Sequence, residues 1–147
     1  MIDPGPADRR TGGRVLAVDW GTKRIGVALS DPTGTLAQPL ATLTRRGGRR
    51  FPLGQLKSHV DQWRPVEVVV GLPLEADGSE GAAAREAREA ARLIGEKTGL
   101  PVALVDERMS TARALEAARP ETGDRVDVDQ RAATVLLQLH LDRRRGR

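Results

Sequence analysis

"VLAVDWGTKRIGVALSDPTG", residues 15–34, reads as two short apolar runs rich in β-branched residues, separated by a Gly-Thr-Lys connection short enough for a hairpin. The Asp-Pro-Thr-Gly that follows has turn chemistry, with Pro at the second position and Gly at the fourth. "TLAQPLATL" then runs on as a third strand, and Pro39 inside it predicts a sheet edge, because proline cannot donate to a ladder. The stretch therefore opens the chain with a three-stranded antiparallel meander. It also leaves a lone carboxylate, Asp19, at the end of the first strand. Trp20 should face the opposite way and pack.

Beyond residue 44 the period changes. Leu53, Leu56, Val60 and Trp63 recur at helical spacing until Pro65 stops them, and "VEVVVGLP" reads as a buried strand. Asp77 and Glu80 have capping-box spacing before a helix over "GAAAREAREAARLIGEKTG", whose Arg85/Glu89 and Glu89/Arg92 pairs suit an exposed face. "PVALVDE" is a fifth strand. "STARALEAA" predicts a short helix, and "VDVDQRAATVLLQLHLD" a longer amphipathic one with Ala132, Ala133, Leu136, Leu137, His140 and Leu141 on one face. The order β-β-β-α-β-α-β-(α)-α implies an α/β fold with a mixed five-stranded sheet flanked by helices. Residues 1–13, with Pro4, Pro6 and Gly12-Gly13, read as a disordered lead-in, 14–142 as one domain and 143–147 as a basic tail.

The 147 residues suffice for one core that buries about two thirds of the unfolded surface. Without cysteine and with two histidines, His59 and His140, the chain has no disulfides and no usual zinc ligand set, so any metal must be held by oxygen. Both histidines read as structural. No secretory signal or apolar span is visible, which predicts a cytoplasmic protein without a membrane partner. The four arginines of the C-terminal "RRRGR" match the whole net charge of +4. A second cluster, "TRRGGRR", supplies Arg45, Arg46, Arg49 and Arg50 in a loop-like stretch suited to phosphate oxygens, although such clusters also serve solubility alone.

Three acidic positions stand out. Asp19 ends the first strand, Glu107 follows the fifth, and Asp129 lies three and four residues before Ala132 and Ala133, which turns it toward the last helix's buried face. Of the adjacent Asp106 and Glu107 one must point away, and alternation favours Glu107 for the site. Asp127 has capping-box spacing with Gln130 and reads as a helix N-cap, which leaves Asp129 free, with the third place open to either. Asp31, before Pro32, and Asp77, before Gly78, read as turn residues. Converging carboxylates without histidine or cysteine suit Mg²⁺, and such clusters serve phosphodiester hydrolysis with two ions. Lys23, Arg24 and Arg108 can hold phosphates, and Gly21 and Thr22 let backbone N–H groups approach an anion.

"DWGTKRIGVALSD", "VVVGLPLEADGS", "DERMST" and "DQRAATVLLQLHLD" resemble, in order and spacing, the signature segments of the bacterial YqgF/RuvX family, described as Holliday junction resolvases or pre-16S ribosomal RNA nucleases. The resemblance runs from about Arg14 to Asp142. It implies an RNase H-like fold and a Mg²⁺- or Mn²⁺-dependent nuclease site, with Asp19, Glu107 and Asp129 as first, second and third acidic ligands. The partner it implies is nucleic acid, either precursor rRNA or branched DNA. Processing an RNA end needs only a monomer, whereas resolving a junction calls for a two-fold homodimer. Two rivals stand beside this. The first motif also resembles the phosphate-binding hairpin of actin-like ATPases, which need two such domains. A non-catalytic nucleic-acid-binding ribosome-assembly factor is the other.

Overall fold

In a computed structural model, which describes residues 12–20, 24–45, 51–108, 128–144 and 146, the meander is present as read. Its strands are β1 (Val15–Asp19), β2 (Arg24–Ser30) and β3 (Ala37–Thr44). They are followed by α1 (Leu53–Trp63), β4 (Glu67–Leu72), α2 (Ala82–Thr98), β5 (Val102–Asp106) and α3 (Val128–Arg144). The sheet order is β3-β2-β1-β4-β5. β1 pairs antiparallel with β2 and β2 with β3, whereas β1–β4 and β4–β5 are parallel. Pro39 thus lies on an edge strand, and β1, apolar until Asp19, runs through the centre.

Alternation along the strands divides the sheet into two faces. Leu16, Val18, Ile25, Val27, Val68 and Val70 face α1 and α2, where Leu56, Val60, Ala84, Ala87 and Ile94 close the core. Val15, Ala17, Ala28 and Val69 face the other way and meet Ala133, Leu136, Leu137 and Leu141 of α3. The residues beneath α3 are small, so that helix lies close to β1 and β2. Trp20 falls on the α1 side as expected, buried and stacked on Phe51 with ring centroids 5.5 Å apart.

The capping box at Asp77 and Glu80 is not formed. The N-cap of α2 is Gly81, without a side-chain cap hydrogen bond. The Glu80 carboxylate instead accepts from Arg88 Nε and Nη2 at 2.6 and 2.7 Å, a bidentate charged pair that outcompetes a backbone N–H, and Asp77 accepts from the Ser79 N–H at 2.8 Å within the turn. On the exposed face of α2 Glu89 pairs with Arg92, which also reaches Glu96. His140 is not a purely apolar packer: its Nε2 lies 3.2 Å from Glu67 Oε1, which also accepts from Arg144 at 2.7 Å. The lead-in up to residue 11, the helix expected over 110–118, and Asp127 lie outside the described residues. Gly12 and Gly13, assigned to the lead-in, are described, and the Gly13 N–H donates to Pro32 O at 2.8 Å.

Asp31 organises the β2–β3 turn. It accepts from the Thr33 hydroxyl and from the Thr35 and Leu36 N–H groups at 2.8 and 3.0 Å, and the Thr33 bond foremost holds its carboxyl down at about 2. A depressed acid favours the fold above the usual carboxylate range and loses that contribution as pH falls toward 2. Asp31→Ala is therefore expected to lower the melting temperature by a few degrees at pH 7. Thermal denaturation of both proteins should show the difference narrowing below about pH 4.

Candidate active site

Asp19 stands where β1 ends, on the α3 face, with its strand partner Gly26 beside it. Only 6% of it is exposed, and its Oδ1 is buried without a hydrogen-bond partner. Burial foremost, then a hydrogen bond with Glu107 and the negative charges of Glu107 and Asp129, pushes its carboxyl up to about 9. Glu107 and Asp129, the other two acidic residues singled out in the sequence, thus both act on Asp19 in the fold.

Glu107 reaches this place because the residue after β5 keeps the strand's alternation: its N–H still donates to Leu72 O at 3.1 Å. Asp106 turns away and pairs with Arg108, whose Nη2 donates to Asp106 Oδ2 at 2.9 Å. Asp129 comes from the first turn of α3. Ends of parallel strands commonly hold ligands in open α/β sheets, and two of the three carboxylates occupy such ends.

Among the described residues no group of three or more acidic, histidine or cysteine side chains is arranged to hold a metal ion as it stands. Asp19 and Glu107 are joined by a hydrogen bond instead, which needs a proton between two carboxyls. The donor set nonetheless fits a hard divalent cation in kind: every candidate donor atom is a carboxylate oxygen, and Asp19 Oδ1 is buried and lacks a hydrogen-bond partner.

Two residues missed in the sequence frame Asp19. A Cβ on Gly71 of β4 would lie 3.4 Å from Asp19 Oδ1 and 3.1 Å from Leu136 Cδ2. A Cβ on Gly26 would overlap the backbone of Asp129. The available signal was a glycine inside each strand pattern, "RIGVALS" and "VVVGLP", which often marks a close approach of another backbone or side chain.

The basic residues divide. Arg24 is exposed at the start of β2, two residues before the partner of Asp19. Arg108 is exposed, but its guanidinium is held by Asp106 and lies 3.4 Å from Ala76 O. Arg45 departs from the expectation of a loop arginine presented to phosphate. It is buried, donates to Glu86 at 3.1 Å and sits 4.6 Å over the Trp20 ring, because β3 extends to Thr44 and carries it against α2. Gly21, Thr22, Lys23, Arg46, Arg49 and Arg50 lie outside the described residues.

The profile described as RuvX: Holliday junction resolvase matches residues 13–143. The chain belongs to the RuvX family. A relative from Kineococcus radiotolerans, named "Putative pre-16S rRNA nuclease", is 45% identical over 135 residues, 88% of this chain and 72% of its own. One of the same name from Moorella thermoacetica is 45% identical over 134 residues, 88% of this chain and 95% of its own. Among solved structures, T. thermophilus RuvC in complex with a Holliday junction substrate shares the fold at a TM-score of 0.59 and 15% identity, covering 90% of this chain and 96% of that one. The mixed sheet with its flanking helices is accordingly the RNase H-like arrangement. The RuvX match spans both the meander that carries Asp19 and the helix that carries Asp129.

Proposed function

We propose that this RuvX-family chain is a divalent-cation-dependent nuclease that processes the 5′ end of precursor 16S rRNA. The observation that carries the reading is Asp19: a buried carboxylate with an unpartnered oxygen, set against two further carboxylates at a sheet end. Buried acids in that relation are costly unless a proton or a cation joins them. Asp19, Glu107 and Asp129 would hold Mg²⁺ or Mn²⁺, as one or two ions. A cation held there would supply charge stabilisation for phosphodiester hydrolysis.

The chain's own residues have separable tasks in this reading. Asp19 and Glu107, fixed by β1 and β5, give the site its rigid side, and α3 brings Asp129 to it. Arg24 and Arg108 are the described candidates to hold flanking phosphates, and Gly21, Thr22 and Lys23 are assigned to the same task from the sequence. Arg46, Arg49 and Arg50 are assigned from the sequence as further phosphate-binding residues. Its place of action is the cytoplasm, where precursor rRNA is found; among the described residues no helix is long and apolar enough to cross a membrane.

The relatives' names support ribosomal RNA over branched DNA as the substrate. The family description favours a second reading, a junction resolvase acting as a homodimer. Incubation with a precursor 16S RNA 5′ region and, separately, a synthetic four-way DNA junction, in Mg²⁺ and then Mn²⁺, separates them. Cutting of the RNA is expected. Cutting of the junction alone would transfer the site to DNA, and binding of either without cutting would leave a non-catalytic assembly factor.

A further inference from the structure

The first turn of α3 rests on the sheet row that contains Asp19. Asp19 is paired with Gly26, and Gly26 with Thr42, so the three lie in one line across β1, β2 and β3. Over Gly26 the Asp129 backbone comes so near that a Cβ there would stand 1.9 Å from its carbonyl oxygen and 2.3 Å from the carbonyl carbon. No side chain larger than hydrogen fits without moving the helix. Beside it, Gln130 Nε2 donates to Thr42 Oγ1 at 2.9 Å.

Burial of apolar side chains does not hold this turn. Val128 is 71% exposed, and the apolar anchors of α3 begin at Ala133 and continue through Leu136, Leu137 and Leu141. Helix ends lack internal hydrogen-bond partners and fray unless something fixes them. Among the described residues, the glycine contact and the threonine bond bear directly on the turn's height and rotation on the sheet.

We propose that Gly26 and Thr42 are positioning residues, a seat that holds Asp129 toward Asp19 and so sets the affinity of the acidic site for a divalent cation. The inference rests on the metal-dependent reading above. It assigns to two uncharged residues the task that outer-shell groups perform in metal sites, where their loss costs about 10–100-fold in affinity.

The test is Mn²⁺ binding by titration calorimetry, with melting temperatures measured alongside, on the full chain and three variants. Thr42→Val removes the hydroxyl and keeps a β-branched strand residue, so it should fold; Gly26→Ala lifts the helix; Leu141→Ala loosens α3 at its far end, away from the seat. The expected result is a Mn²⁺ dissociation constant raised about tenfold in Thr42→Val and more in Gly26→Ala. Leu141→Ala should melt earlier yet bind Mn²⁺ as the wild type does. If Gly26→Ala does not fold, Thr42→Val decides. Unchanged affinity in Thr42→Val, or equal weakening in Leu141→Ala, overturns the seat while leaving the metal site standing. A wild type that binds no Mn²⁺ overturns the metal-dependent reading and the seat with it.

Discussion

Asp19→Asn is expected to melt later than the wild type in the absence of metal, and to have lost cleavage. The sign follows from linkage. In the unfolded chain the Asp19 carboxyl ionises near 4, whereas in the fold burial and its acidic neighbours hold it protonated up to about 9. Between those values the folded state binds the extra proton, so its stability falls as pH rises from about 4 to about 9. Asparagine keeps the shape and never ionises. At pH 8 the gain should be on the order of a few kcal/mol, or at least about 5 °C in melting temperature for a domain of this size. Thermal scans at pH 5 and pH 8 without metal should show the variant's advantage growing with pH. Such opposition between stability and activity is common where a site needs groups that the fold would not choose.

Leu136→Ala is expected to cost about 2–5 kcal/mol, a large part of the 5–15 kcal/mol typical of a domain. Leu136, on the sheet-facing side of α3, is fully buried and reaches the space above Gly71, next to Asp19 Oδ1. The floor there is built from small residues, Ala17, Ala28 and Gly71, which cannot rearrange to fill a leucine-sized void. Denaturant unfolding measures the loss. A drop below about 1 kcal/mol would mean that α3 is held on the sheet by something other than this packing.

Much of this was legible in the sequence because the deciding interactions are local. Strand alternation alone sent Asp19 toward one face and Trp20 toward the other, and it turned Glu107 rather than Asp106 toward Asp19, with Asp106 taken by Arg108. Pro39 marked the edge strand, since a missing N–H is a property of one residue. What was illegible depends on partners far along the chain. Gly26 and Gly71 matter through cross-strand register and through α3, which arrives a hundred residues after Gly26. Glu80 had the spacing of a cap, but Arg88 offered it a charged, bidentate alternative. Arg45 looked like its loop neighbours until β3 carried it over Trp20 and against Glu86.

In the proposed reading Asp19, Glu107 and Asp129 work as one cation-dependent centre. Its most direct test is the rate of precursor-RNA cleavage across a Mg²⁺ titration, with a chelator control, for the wild type, Asp19→Asn, Glu107→Gln and Asp129→Asn. Cleavage by the wild type is expected to require Mg²⁺ and to fall at least about a hundredfold in each variant, as loss of a direct ligand should cost no less than loss of its support. Cleavage that persists under chelation, or survives in the Asp19→Asn protein, would contradict that reading.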